Sequence, residues 1–371
     1  MKKQIFHNIL LTCIWLVVVN IFALIALHRL NILPDQAFPW INPSDYPVHH
    51  DWNLINLHNR WDSIWFIDVA RNGYYMRTDN VFSNVVFFPL YPLAMKLVSL
   101  FTGGNLVFAG WIVSSLFLVA AVVMFTRLVQ EFHADIDPVW PVVFLLAFPT
   151  SFFLNAVYSE SMFIFLSITT FYFALKKQFW KAALFAALAS STRMAGVFLF
   201  APLVVEFIQS NGWRALFSRS MFPLLIAPTG ALAFFIYHLY RFGDFFLYLK
   251  VESWWGRNFS GNIVGFKKIL THSGISNWIM EWSFTIFAFV VAILVLCKLR
   301  LSYGIYMLLS LSIAFASGGT FGIGRYAIVL FPIYIFAATI PSMHTKFAWL
   351  LTSTLSLSLD IVLFVNHYWA G

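Results

Sequence analysis

The chain has 371 residues, 61% of them hydrophobic and 10% charged, with a net charge of +8 and a mean hydropathy of +0.80. A soluble fold of this composition would expose large apolar patches, so lipid is the expected solvent. The basic residues are scattered singly rather than in a stripe, which excludes nucleic acid as the expected partner, and Cys13 and Cys297 lie in apolar runs that imply neither a disulfide nor a metal role.

The first element follows a basic start, "MKK", and runs apolar over 8–30. That is long enough to cross a hydrocarbon core of ~30 Å. No small-residue cleavage site follows, so it reads as an uncleaved span with Lys2 and Lys3 inside.

Next comes "HNRWDSIWFIDVARNGYY", from His58 to Tyr75. Asn59 is suited to cap a helix from Arg60 to Asn72, with Gly73 at its end. Trp61, Ile64, Trp65 and Ile67 give it an apolar side, and Asp68 and Arg71 are spaced to pair. An amphipathic helix at a lipid surface accounts for Asp68 and Arg71. Asp62 is different: it sits near the helix start between Trp61 and Trp65, where the dipole favours a carboxylate. There it is suited to accept a proton from a sugar hydroxyl.

The stretch 85–101, "VVFFPLYPLAMKLVSLF", decides the topology. If it crossed the membrane, Lys176, Lys177, Lys181, Arg214, Arg219, Lys298, Arg300 and Lys346 would all fall outside. Lying on the outer surface, it puts all of them inside, as the positive-inside rule prefers. It is therefore expected to be an interfacial helix. Further apolar runs at 105–128, 139–157, 160–175, 180–192, 195–209, 221–240, 281–297, 301–317, 326–341 and 347–366 bring the candidate spans to eleven. The expected fold is an all-α polytopic membrane protein, one domain over 1–371, with its amino terminus cytoplasmic. Two long extracytoplasmic segments result, 31–104 and 241–280, and the first holds six of the fifteen acidic residues.

Arg193, Arg257 and Arg325 then fall at outer span ends or in outer loops. Their guanidinium forks match phosphate oxygens, although headgroup anchoring is the ordinary fate of an interfacial arginine. The cluster His49, His50 and Asp51, with His58 nearby, offers metal-ligating side chains but no ligand spacing of a known type, and reads as a solvated loop. Asp360, inside the last apolar run, suits either a function or a structural pairing. "GGTFGIG" is glycine-rich but follows a span, so it is not a dinucleotide fingerprint.

Taken in order, these motifs resemble the PIG-V-type mannosyltransferases, a family of GT-C membrane glycosyltransferases. The resemblance rests on "RWDSIWFIDVARNGY", "VVFFPLYPL", "NAVYSESMFIFLSI", "ASSTRMAGVFL", "YRFGDFFLYLKVESWWGR" and "GRYAIVLFPIY", over most of 55–340. It implies a GT-C-like fold with interfacial helices in the first outer loop. It also implies a polyprenyl-phosphate sugar donor, with mannose as the default sugar, and chemistry at the extracytoplasmic face. Asp62 takes the place of the base, and Arg193, Arg257 and Arg325 become donor-phosphate ligands. Arg60, Trp61, Tyr91, Glu160, Trp255 and Tyr326 become substrate-binding candidates. No metal or cofactor is expected. The acceptor is a glycolipid, a polymer or a protein, and the size is that of a prokaryotic relative. The membrane is then a bacterial inner or plasma membrane, or the endoplasmic reticulum if the host is eukaryotic.

The rival from another class is a transporter or flippase of a glycolipid. It calls for ionisable groups near the midplane on broken helices. Most charges here lie in the first loop or at the outer surface, with Asp360 the exception.

Overall fold

The computed structural model describes residues 2–30, 54–76, 83–254, 275–320, 322–368 and 370. Among these there are helices and no strands. The α-helices are α1 (Lys2–Ala26), α2 (Ser63–Asn72), α3 (Leu90–Ser99), α4 (Leu106–Phe132), α5 (Val139–Leu146), α6 (Glu160–Leu175), α7 (Phe179–Ser190) and α8 (Phe200–Asn211). They continue as α9 (Thr229–Phe242), α10 (Leu247–Trp254), α11 (Ile275–Lys298), α12 (Leu301–Gly318), α13 (Ile323–Ile328), α14 (Pro332–Ala338) and α15 (Met343–Val365). The chain forms two compact units, one of 1–73, 90–165 and 340–370, the other of 74–89 and 166–339 with residue 371.

In the first unit, α1 is built inside out. Leu10, Ile14, Val17, Val18, Ile21 and Ile25 face outward, while Asn8, Thr12, Asn20, Ala23 and Ala26 are buried. A helix in lipid gains nothing by hiding leucine, so small and polar residues form its contacts. Asn8 Nδ2 donates to Thr126 Oγ1 of α4 at 2.9 Å. At the other end, Asn366 Nδ2 donates to the Ala26 carbonyl at 3.0 Å, and the His28 amide donates to Asn366 Oδ1 at 2.9 Å. α15 repeats the pattern, with Phe347, Leu351, Leu355 and Leu359 outward and Ser353, Asp360 and Phe364 buried.

In the second unit, the apolar helices α11 and α12 pack against each other and against α13, and α12 also packs against α8. Glu206 of α8 ties down the entry to α12: it accepts from Arg300 Nε and Nη2, both at 3.3 Å, and from Ser302 Oγ at 2.5 Å.

Eleven spans were expected; among the described residues five helices are long and apolar enough to cross a membrane, or six counting a pair bent by 56°. Three of the expected runs, 160–175, 180–192 and 301–317, form apolar helices that are shorter than that, and the rest of the difference lies in breaks. The run 139–157 divides into α5 and a short 3-10 turn, Ser151–Leu154, at Pro149, which lacks an amide hydrogen and disfavours helix before it. The run 326–341 divides into α13 and α14, with Pro332 opening the latter. The run 221–240 is the bent pair, Arg219–Ile226 with Thr229–Phe242, separated by Pro228. α3 has ten residues, about 15 Å of helix, half of a bilayer core.

Candidate active site

Asp62 belongs to the first unit. Its helix starts later than expected: α2 begins at Ser63 with Asp62 as its N-cap, not at Arg60 with Asn59 as its cap. The cause is Trp61, whose φ of 54° is left-handed and breaks the helical path. Gly73 ends the helix with φ 74°, as the sequence implied. Asn59 still contributes, through its Oδ1, which accepts from Ser63 Oγ at 2.8 Å.

A left-handed tryptophan is costly and persists only where its surroundings hold it. Two anchors are visible. Trp61 Nε1 donates to the Tyr368 carbonyl at 3.2 Å. The Tyr158 hydroxyl bridges the backbone on either side, donating to the Arg60 carbonyl at 2.9 Å and accepting from the Asp62 amide at 3.1 Å. Asp62 and Trp61 are partly exposed, whereas Ser63, Ile64, Trp65 and Phe66 behind them are buried.

Arg60 is 4% exposed, and its guanidinium donates to the carbonyls of Val365 at 3.3 Å, Asn56 at 2.5 Å and Asn59 at 2.9 Å. It stitches the loop to the end of α15. Tyr91 is fully buried, with its hydroxyl 2.8 Å from Ser114 Oγ, which in turn donates to the Tyr158 carbonyl at 3.1 Å. Burial pushes the Tyr91 phenol up, and the charge of Glu160 adds to the effect, so Tyr91 stays a donor. Glu160, also fully buried, opens α6 two residues after Tyr158. Tyr91 and Arg60 thus support the loop from behind. Gly110 of α4 makes the support tight, because a Cβ there would stand 2.6 Å from Val157 Cγ1.

His58 completes this wall. It stacks on Trp111 with ring centroids 4.9 Å apart, and its carbonyl accepts from the Val157 amide at 3.1 Å. Burial, and then the charge of Arg60, push its pKa down to about 3, so it is neutral at ordinary pH.

Tyr158 was absent from the candidates that the sequence suggested, and His58 entered only as a neighbour of the His49–Asp51 cluster. Tyr158 lies in the "NAVYSES" stretch beside Glu160, and that adjacency was its signal.

In the second unit, Arg193 and Tyr326 come together, with Arg193 Cζ 5.4 Å from the Tyr326 ring centroid. This is cation–π distance. Arg193 is extended at the head of the 3-10 turn Met194–Leu199. Gly196 lets that turn lie on α7, since a Cβ would fall 2.4 Å from the Ala189 carbonyl carbon. Arg325 and Tyr326 are partly exposed on α13. Arg257, Trp255, His49, His50 and Asp51 lie outside the described residues. Among the described residues, no group of three or more His, Cys, Asp or Glu is placed to hold a metal. Asp360 is fully buried, and neither carboxylate oxygen has a hydrogen-bond partner among the described residues.

Comparison with known proteins agrees with the fold. Among solved structures, the chain is similar to ArnT from Cupriavidus metallidurans bound to undecaprenyl phosphate, with a TM-score of 0.52 and 12% identity, over 96% of this chain and 76% of that one. At that identity the likeness speaks for a shared GT-C fold. No curated protein sequence matches the chain. The family model for mannosyltransferase (PIG-V) matches residues 7–257, well over half of the chain and including Asp62, Tyr158 and Arg193. Arg325 and Tyr326 lie beyond the matched stretch. That match decides between the enzyme and the transporter: the chain is a membrane glycosyltransferase and belongs to the PIG-V mannosyltransferase family.

Proposed function

We propose that this protein transfers a sugar, mannose by family precedent, from a polyprenyl-phosphate donor to an acceptor hydroxyl at the extracytoplasmic face. Asp62 accepts the hydroxyl proton. The freed oxygen attacks the anomeric carbon opposite the phosphate, the bond from carbon to phosphate oxygen breaks, and the configuration inverts. The lipid phosphate leaves as an anion, so it needs cations rather than a protonating acid. That is a role suited to Arg193, Arg325 and Arg257, and it explains how one carboxylate suffices where glycosidases use two.

The observation that carries this reading is the mounting of Asp62. It stands partly exposed at the head of α2, behind a left-handed Trp61, with its amide held by the Tyr158 hydroxyl. Strain of this kind is kept where a side chain must be aimed. The fold it shares with ArnT, a protein seen with undecaprenyl phosphate bound, supports a polyprenyl-linked donor. The positive-inside charge distribution supports the cytoplasmic amino terminus and the outward face of the first loop.

The test is sugar transfer by purified protein in lipid vesicles, with polyprenyl-phosphate mannose labelled in the sugar and a membrane extract as acceptor. Asp62→Asn should lose ~10²–10⁴-fold in turnover while folding normally. An Asn variant that turns over at the native rate removes Asp62 from the role. Transfer only from another sugar lipid removes mannose alone.

A further inference from the structure

In the second unit a buried carboxylate stands apart from the candidates discussed so far. Glu281 of α11 is 5% exposed, in the apolar stretch "WIMEWSF". Burying a carboxylate in such a setting is expensive unless hydrogen bonds compensate it. Its Oε2 accepts from Thr320 Oγ1 at 3.1 Å. Thr320 lies in "GGTFGIG", the turn that joins α12 to α13.

That turn is pliable by construction. Gly319 and Gly322 are both left-handed, with φ of 66° and 75°, on either side of Thr320. Glycines leave the backbone free to adopt many paths, so something else must choose one. From Thr320 the hydrogen bonds run onward. Its carbonyl accepts from the Ile323 amide at 3.2 Å, and the Gly322 carbonyl accepts from the Arg325 amide at 3.0 Å and the Tyr326 amide at 3.4 Å. Tyr326 in turn receives Arg193 over its ring. The Glu281 carboxylate therefore sits at the root of a continuous series of contacts. The series ends on the two described arginines assigned to the donor phosphate. α11 also packs along α13 directly, so the tether joins two surfaces already in contact.

We propose that Glu281 is a positioning residue. By holding the Thr320 hydroxyl it fixes the glycine turn, and so sets Arg325 and Tyr326, and through Tyr326 the Arg193 guanidinium, for a lipid-linked phosphate. The proposal rests on the reading of those arginines given above. Glu281 touches neither the sugar nor the reacting atoms. Its role is an acceptor's role, and its negative charge is not required. An amide carbonyl at the same place serves as well.

Four variants separate this from a structural part: Glu281→Gln, Glu281→Ala, Thr320→Ser and Thr320→Val. Two measurements are made on each in vesicles: binding of polyprenyl phosphate without a sugar, and the kinetics of transfer with the sugar donor varied. Glu281→Ala and Thr320→Val should each weaken lipid-phosphate binding and raise the donor KM about tenfold, the scale of one hydrogen bond to a charged group, with kcat within about threefold. Glu281→Gln and Thr320→Ser should behave like the native chain. The double variant Glu281→Ala with Thr320→Val should be no worse than either single one, because both cut the same tether.

Additive losses overturn the proposal. So does a Gln variant as poor as the Ala one, or a fall in kcat and folded yield with an unchanged donor KM. If the native chain binds polyprenyl phosphate but transfers no sugar, only the transfer reading fails, and the binding series still decides the role of Glu281. If the native chain does not bind polyprenyl phosphate, the proposal falls with it.

Discussion

The Tyr158 hydroxyl clamps the backbone of Asp62, accepting its amide at 3.1 Å while donating to the Arg60 carbonyl at 2.9 Å. The clamp spans the one left-handed residue between them, Trp61. A side chain 96 positions away in sequence from Asp62 thus sets the direction in which α2 begins.

Tyr158→Phe keeps the ring contacts with Phe66, Phe153 and Phe364 and deletes only the clamp. The part-buried Asp62 amide loses this partner, while the Arg60 carbonyl keeps Ser63 as a donor, at a cost of about 1 kcal/mol. If the clamp serves to aim Asp62, kcat should fall roughly tenfold while the donor KM stays within about twofold. Steady-state kinetics with the donor varied separate this from a loss of binding, which would raise KM instead.

His58 makes the first unit sensitive to acid. Its pKa falls from 6.5 to about 3 on folding, through burial and then the charge of Arg60. A base whose folded pKa is depressed binds protons more readily unfolded, so its contribution to stability is whole above about pH 6.5 and declines as the pH drops toward 3. The slope is about 1.4 kcal/mol per pH unit. His58→Phe keeps a ring on Trp111 and cannot titrate. It should melt below the native protein at pH 7.5, and the gap should close as the pH is lowered to 4.5. A constant gap in thermal melts across that range would contradict the burial of a neutral imidazole.

Glu206 offers a change in the same molecule that leaves chemistry alone. Removing it strands Arg300 and the Ser302 hydroxyl. Because Arg300 is 35% exposed, solvent recovers part of the loss. Glu206→Ala should cost about 1–3 kcal/mol in stability. Thermal melting in detergent checks the first effect, and kcat and KM within about twofold of native in the surviving protein check the second.

The fold was legible in the sequence where local chemistry decides it. Gly73 ends α2 as expected, because a positive φ after a helix is a local demand. The start of the same helix was not legible. Nothing in "NRWDS" announces that Trp61 will be left-handed, since the restraint arrives from Tyr158 and Tyr368. The same holds for span number. Proline at 149 and 332 was visible, but an unbroken apolar run gives no periodic signal of where it bends.

At the site, Asp62 drew notice because charge is scarce in this chain, and the arginines because they defied the positive-inside rule. Glu281 stands at the first position of the run 281–297, and nothing in the sequence around it singles it out. Its partner Thr320 is 39 residues distant, and their meeting depends on how α11 and α12 pack. Tyr91 and Arg60 sat in the motifs that carried the resemblance, yet the structure places them behind the loop, where their polar atoms meet backbone and Ser114.

The seam between Ala26 and Asn366 orders events during synthesis. These partners are 340 residues apart, so α1 is made long before the asparagine that holds its end. Until α15 enters the bilayer, the carbonyl of Ala26 and the amide of His28 lack their Asn366 partner, and Arg60 lacks the Val365 carbonyl. The loop that bears Asp62 is therefore fastened only once α15 has been made. A ribosome that stalls within α15 would leave an inserted membrane protein in which the loop that bears Asp62 lacks this fastening.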